Sequence, residues 1–378
     1  MLRTIKKANI TVKSIGSAVQ LYCQPIFLEN PWASFAALAA IPIAFSADWL
    51  ATDNDLFGLL PKDDEFEGTS YLIAFVIVLI IYLVGVLSET RKFIFYNRAC
   101  INLPIVVNID NKANSTDILK TFAHALTEKL DVSHRYLYEL ERYLTIASED
   151  LIFQHSLNIN NPDELHDVFA VIRHNLTRLQ SQTPKDHTLE IAYIGPIAIG
   201  IWLGAITRTE AIALWPYNRG TAPSYPERIA VPDNIQWASV GESQQKTQRE
   251  LLCPNPANTQ TWLVALDLAG ERRLSSQQLT AQGFDNCLYI CGMDDVVEIK
   301  SNEYIQYAQE IYSEISVLKR EYSPSSIRLI SCVPNILAIL MGRMLGTMFP
   351  IEVAHYENGA YSVLFKLNDP RFRYKHIA

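Results

Sequence analysis

Apolar and polar positions alternate in blocks along most of the chain. Short runs rich in Ile, Val and Leu predict buried strands at 103–110, 189–194, 262–268 and 327–332. Segments with polar starts and helical spacing predict helices at 114–130, 134–148, 164–180 and 302–322, the first capped by Ser115 or Thr116. Strands that alternate with helices of this length indicate an α/β fold with mostly parallel, doubly wound sheets.

Two apolar runs near the amino terminus follow a different pattern. Trp32–Leu50 and Tyr71–Leu87 are each long enough to cross a hydrocarbon layer about 30 Å thick at a rise of about 1.5 Å per residue. Basic residues flank the pair and acidic residues fill the loop between them, which predicts that both termini are cytoplasmic. We therefore expect a basic segment at 1–30, a transmembrane hairpin at 31–88 and a linker at 89–100.

Two alternatives to the hairpin remain open. Ala44-Phe-Ser46 resembles a signal-peptide cleavage site, although the segment before the apolar run is far longer than a usual signal sequence. The two runs could also form a buried helical hairpin of a soluble protein.

A strand, a Pro turn, a Gly-bearing helix and a Tyr-x-x-Gly segment occur twice. Pro196 and Gly204 recur 138 positions later as Pro334 and Gly342. Tyr217 and Gly220 recur after 139 positions as Tyr356 and Gly359. We infer two copies of one αβ unit, at about 101–225 and 260–370, joined by a Pro-, Ser-, Asn- and Gln-rich connection with room for short strands.

The second copy resembles the C-terminal signature of SAVED domains: a strand, Pro334, Leu-Ala-Ile-Leu-Met-Gly-Arg343, then Ile351-Glu-Val through Tyr356-Glu. The resemblance is closest over 320–365, extends to 188–225 and is architectural over 101–187. It implies that 101–378 is a fusion of two CARF-like, Rossmann-like halves. Such a fusion is expected to bind a cyclic oligonucleotide, here a cyclic trinucleotide, made by a cognate nucleotidyltransferase.

With its hairpin, the chain is similar to the two-transmembrane SAVED effectors of CBASS anti-phage systems. That resemblance implies a multi-pass protein of the bacterial inner membrane. In it, the ligand would induce a homo-oligomer that disrupts the lipid bilayer and causes abortive infection.

Ligand contacts are expected where the parallel strands end, because ligands of such sheets sit beyond the carboxyl ends of the strands. Cationic side chains can bind phosphates, and aromatic rings can stack on bases. Amides can hydrogen-bond base edges or cap the start of a helix that faces a phosphate. These rules select Pro196, Trp215, Tyr217, Asn218, Arg219, Arg272, Pro334, Asn335, Tyr356 and Glu357. Trp215 alternates with apolar neighbours, so a core position fits it equally well.

Composition and missing motifs narrow the function classes. A net charge of −8 argues against binding a nucleic-acid polymer. The six cysteines show no zinc spacing, and the sequence contains no metalloprotease, nucleophile-elbow or Walker motif. We expect no catalytic residues, metal or cofactor. Two alternatives remain: a membrane-tethered α/β enzyme acting on a nucleotide or small metabolite, and a passive anchor that docks a partner.

Overall fold

A computed structural model gives the fold of most of the chain beyond residue 99. It describes residues 95, 100–109, 114–130, 132–159, 161–183, 186–217, 224–225, 227–233, 235, 245–252, 260–271, 274, 279, 286–294, 296–347, 349–357 and 360–370. The chain divides into two compact units, Met1–Ala99 and Cys100–Ala378. The predicted transmembrane hairpin lies outside the described residues. Within these residues, no helix combines the length and the apolar character needed to cross a bilayer.

Helices and strands alternate as the hydrophobic pattern predicts. The helices are α1 (Ser115–Leu130), α2 (Tyr136–Leu144), α3 (Pro162–Gln182), α4 (Ile197–Ile206), α5 (Tyr304–Tyr322) and α6 (Asn335–Leu345). The prediction for the cap of α1 was wrong by one or two residues: the Asn114 side chain accepts the Thr116 N–H, at 3.1 Å. Ser115 is instead buried, and its hydroxyl accepts a hydrogen bond from the Asn108 amide at 2.8 Å.

The first sheet has the strand order β2-β1-β3-β4-β5. Its strands are β1 (Ile101–Asn108), β2 (Ile152–Gln154), β3 (His187–Ile194), β4 (Ile212–Leu214) and β5 (Ile229–Ala230). The first four run parallel, and β5 is antiparallel to β4.

The second sheet has the order β13-β12-β11-β7-β9-β6. Its strands are β6 (Thr247–Leu252), β7 (Thr261–Asp267), β9 (Cys287–Gly292), β11 (Ser326–Cys332), β12 (Ile351–Glu357) and β13 (Ala360–Lys366). The strands β7, β9, β11 and β12 are parallel, while β6 and β13 are antiparallel edges. A separate ribbon pairs β8 (Gly270–Glu271) with β10 (Val296–Val297).

The two sheets have the same topology, which supports the duplication inferred from the repeat. The five strands of the first sheet match β9, β7, β11, β12 and β13 of the second, with the same parallel and antiparallel pairings. Backbone bonds at the strand ends also repeat: Ile109 N–H donates to the Ile194 carbonyl, and Leu268 N–H donates to that of Cys332. The extra strand β6 comes from the connection between the halves, where short strands were predicted.

The helices α4 and α6, one from each half, pack directly against each other. Apart from Asn335 and Arg343 of α6, both are apolar on every side, and nearly all of their residues are buried. A helix that is apolar all round needs partners on all faces. These two have them: α4 also contacts β11 and β12 of the second half, and α6 contacts β3 of the first. The helix pair is therefore the layer that joins the two halves.

Two glycines set how closely these helices approach. A Cβ added at Gly204 would overlap the carbonyl of Ile339, and one added at Gly342 would overlap the carbonyl of Ile201. The two contacts are reciprocal, because Ile339 and Gly342 are the repeat equivalents of Ile201 and Gly204. The halves are thus related by a local two-fold axis, as in a symmetric dimer interface.

A second set of contacts ties the halves together. Arg343 of α6 is buried and donates to the carbonyl oxygens of Thr207 and Glu210, at the C-terminal end of α4. A guanidinium there donates to carbonyls that lack helical partners. Its positive charge also interacts favourably with the negative end of the helix dipole. Phe169 of α3 stacks on Trp202 of α4 at 4.0 Å and meets Phe365 of β13 edge-on at 5.2 Å.

Each half also carries a partly buried ion pair on its central strand, but the charged residue on that strand has the opposite sign in the two halves. Glu190 on β3 accepts from the Arg228 guanidinium at 2.7 Å. The equivalent position on β11 is Arg328, which pairs with Glu352 on β12 at 2.9 Å. Burial alone would raise the pKa of Glu352, but hydrogen bonds from Lys366 and Arg328 outweigh it and lower the pKa below its ordinary value.

Gly204→Ala and Gly342→Ala should each destabilise the protein strongly, because the added methyl group meets rigid backbone. We expect a loss of unfolding free energy of roughly 1–3 kcal/mol or more for each, measured by denaturant titration of the full-length chain. Gly200→Ala is the matched control. Its Cβ would meet the side chains of Tyr193 and Ala338 at 3.2 and 3.4 Å, and the Asn335 carbonyl oxygen only at an ordinary contact distance of 3.7 Å. The equivalent residue of the second half is already Ala338, so a change within about 1 kcal/mol is expected. Equal effects at all three glycines would contradict the proposed interface.

Candidate functional site

The two central helices begin at the same end of the molecule. Gly200 of α4 faces Asn335 and Ala338 of α6, while Gly204 faces Ile339 and Arg343. Contacts that advance together along both helices mean that the helices run in the same direction. Each helix follows directly after a parallel strand, β3 or β11. The carboxyl ends of these two strands therefore open on the same side.

We call this side the mouth and define it by Gly195, Pro196, Tyr217, Pro334, Asn335 and Tyr356, which follow or end β3, β4, β11 and β12. Pro196 and Pro334 are the N-caps of α4 and α6, with extended backbones at φ −64° and −60°. Their carbonyls accept equivalent first bonds, from Gly200 N–H at 3.2 Å and from Ala338 N–H at 3.0 Å. The first N–H groups of both helices thus point toward the mouth, where they favour negative charge.

On the first-half side of the mouth, the aromatic residues form a closed cluster. Tyr217 lies 5.5 Å from Tyr225, which packs on Phe122 at 4.9 Å. Trp215 is fully buried beneath them, and its indole N–H donates to Glu190 at 2.6 Å. Burial, and to a lesser extent Tyr217, raises the pKa of the Tyr225 hydroxyl.

On the second-half side, the corresponding pair is open. The Tyr356 ring lies 4.9 Å from the Tyr361 ring, and Tyr356 is 51% exposed. Burial raises the pKa of Tyr361 to about 12, with smaller contributions from Cys332, Asp267 and Tyr356.

Asp267 ends β7 and holds the connection that follows it. Its Oδ2 accepts the Leu274 N–H at 2.8 Å and the Tyr289 hydroxyl at 3.1 Å, and its side chain is buried. The equivalent residue of the first half is Asn108, whose amide donates to Ser115. The equivalent strands β1 and β7 thus both end in a buried polar residue, but only β7, in the second half, ends in a carboxylate.

The sequence-based candidates fall into three groups. Pro196, Tyr217, Pro334, Asn335 and Tyr356 lie at the strand ends that define the mouth, and the backbone of Glu357 ends β12. The burial of Trp215 favours its core interpretation over base stacking. Asn218, Arg219 and Arg272 lie outside the described residues.

Sequence reasoning missed Tyr225, Tyr361 and Tyr289 as neighbours of this region. One signal could have revealed Tyr361. The dipeptide Asn358-Gly359 is typical of a two-residue β-hairpin loop. A hairpin there pairs Tyr356 with Tyr361, as the register of β12 and β13 does.

Among the described residues, no group of three or more His, Cys, Asp or Glu side chains is arranged to hold a metal ion. His166 and Asp167, a pair typical of some metal phosphodiesterases, are exposed on α3.

Comparisons with known proteins give structural similarities only. No family model and no curated protein matches the sequence. A Cap4 SAVED/CARF-domain containing receptor of Acinetobacter baumannii with the cyclic trinucleotide 3′3′3′-cAAA has a TM-score of 0.46 and 11% identity, covering 89% of this chain and 78% of that chain. With 2′3′3′-cAAA the values are 0.44 and 13%, over 89% and 77%.

The Cap4 SAVED/CARF-domain containing receptor of Moraxella osloensis is also similar. It has a TM-score of 0.38 and 15% identity, over 66% of this chain and 54% of that chain. At these TM-scores, function has to be inferred from the residues and geometry of this chain.

Asp267→Ala should destabilise the protein, because it removes the carboxylate that accepts the buried Leu274 N–H and the Tyr289 hydroxyl. An unpaired buried donor costs about 1–3 kcal/mol, so we expect a loss of at least that size in urea titrations of the full-length chain. The control Asp267→Asn keeps an acceptor oxygen and should lose less. An Ala variant as stable as the wild type would show that these bonds do not hold the connection.

Proposed function

We propose that the Cys100–Ala378 unit senses a cyclic oligonucleotide second messenger at the mouth between its two halves. The observation that carries this proposal is the parallel, two-fold related pairing of α4 and α6. That pairing brings two equivalent strand ends to one side of the molecule. A cyclic oligonucleotide consists of repeated nucleotides, so two equivalent halves of a site can contact equivalent parts of it. The SAVED-like sequence signature at Pro334–Arg343 and Ile351–Glu357 points to the same ligand class.

The chemistry of the mouth suits such a ligand. The N-termini of α4 and α6 favour phosphates, because their first N–H groups and helix dipoles attract anions. Tyr356 offers an exposed ring for a base. Asn335, the first residue of α6, adds an amide that can hydrogen-bond a base edge. A chain with a net charge of −8 can bind a small anion through such local donors.

We further propose that the chain is an anti-phage effector of the CBASS type, anchored in the bacterial inner membrane by the hairpin at 31–88. Ligand binding would favour an assembled state, and the crowded hairpins would then disrupt the bilayer and cause abortive infection. The ligand must bind the assembled form more tightly than the free form for this linkage to operate. In this proposal the output is assembly, and the protein is not an enzyme.

The test uses the full-length chain purified in detergent and titrated with cyclic di-, tri- and tetranucleotides. We expect binding of at least one of them, a cyclic trinucleotide foremost, together with a shift to larger assemblies in analytical ultracentrifugation. Linear oligonucleotides of the same composition are the matched control and should have neither effect.

Two results would contradict the proposal. A protein that binds none of these cyclic nucleotides is not their sensor. A protein that binds one but keeps its sedimentation coefficient is a receptor whose output is not assembly.

A further inference from the structure

The two halves present equivalent aromatic pairs at the mouth. Tyr217 and Tyr356 are repeat equivalents, offset by 139 positions. Their partners are Tyr225, which lies just before β5, and Tyr361, which lies in the equivalent strand β13. The repeat therefore supplies two places where a planar ring could stack.

In the first pair, Tyr217–Tyr225, core side chains pack against Tyr225. Tyr225 is only 5% exposed and contacts Phe122 at 4.9 Å and Trp215 at 6.4 Å. Its hydroxyl is buried and makes no hydrogen bond within the described residues. A base that reached this pair would meet the partly buried Tyr217 ring, but the hydroxyl of Tyr225 would not be accessible to it.

The second pair differs in exposure and in what surrounds it. Tyr356 presents half of its surface to solvent, and Tyr361 is only partly buried. Asp267 and Cys332 lie close enough to influence the Tyr361 hydroxyl electrostatically. That hydroxyl has no hydrogen-bond partner in the part of the chain that the structure describes, so it can donate to or accept from a ligand.

We infer that the two halves do not recognise bases equally. The second half alone recognises a nucleobase, which stacks on Tyr356 and hydrogen-bonds the Tyr361 hydroxyl. The first half contributes backbone N–H groups and shape. Specificity for base identity therefore resides in one subsite, and the remaining bases of the cyclic ligand are tolerated more broadly. This inference rests on the proposed function and narrows it to one subsite of the same mouth.

The subsite is tested by calorimetric titration of the full-length chain with cyclic trinucleotides of adenine, guanine, cytosine and uracil. Tyr356→Leu removes the stacking ring from an exposed position, and we expect roughly 5- to 100-fold weaker binding. Tyr361→Phe keeps the ring and loses the hydroxyl. It should weaken the preferred trinucleotide and reduce the differences in Kd among the four.

Tyr225→Phe is the matched control, because it removes the buried hydroxyl of the first pair. Its Kd values should stay within about twofold of the wild type. Thermal unfolding of each variant separates a lost contact from a lost fold, and Tyr361→Phe retains the packing of its ring.

The outcomes distinguish the two proposals. Two results would show that base recognition is not confined to the second half, while leaving the sensor proposal intact. One is that Tyr217→Leu weakens binding as much as Tyr356→Leu. The other is that Tyr361→Phe leaves the order and spread of the four Kd values unchanged. If the wild type binds no cyclic nucleotide, both proposals are wrong.

Discussion

The close approach of α4 and α6 is the constraint on which the rest of the structure depends. Gly204 and Gly342 each face a backbone carbonyl of the opposite helix, at a separation that no side chain permits. Such contacts allow dense packing and leave no room for either helix to shift by a methyl group. Because the helices are parallel, this one contact places both Pro196 and Pro334 at the same side.

Symmetry at the interface contrasts with asymmetry at the mouth. The strand order, the helix caps and the glycine contacts are all repeated in the two halves. The side chains around the mouth have diverged, with Asp267 in place of Asn108 and an open Tyr356 in place of the more enclosed Tyr217. The backbone frame is thus the same in the two halves, while the side chains at the mouth differ. This is the arrangement expected when both halves position one ligand but recognise it with different side chains.

Much of the fold could be predicted from the sequence, because strongly periodic segments report their own burial. The strands at β3, β7 and β11, the helices α1, α3 and α5, and the Pro196/Pro334 repeat are examples. The short strand β2 was missed, since three residues carry no period. The glycine contact and the ion pairs Glu190–Arg228 and Arg328–Glu352 depend on tertiary neighbours that one sequence does not show.

The candidate site was predictable only as a location. The rule that ligands lie at the carboxyl ends of parallel strands selected Pro196, Pro334 and Asn335. Whether an aromatic residue is core or surface depends on which side chains pack beneath it. Trp215 and Tyr356 therefore could not be told apart by pattern, although one is buried and the other is half exposed.

Hydrogen–deuterium exchange of the full-length chain with and without the cyclic nucleotide that it binds in titration tests the central claim, a single mouth formed by both halves, most directly. The first amides of α4 and α6, at 197–198 and 335–337, donate to no backbone acceptor among the described residues and should exchange quickly in the free protein. The account predicts that the ligand slows exchange at both of these helix starts and leaves the opposite strand ends unchanged. Protection confined to one helix start, or to the amino ends of β3 and β11, would contradict it.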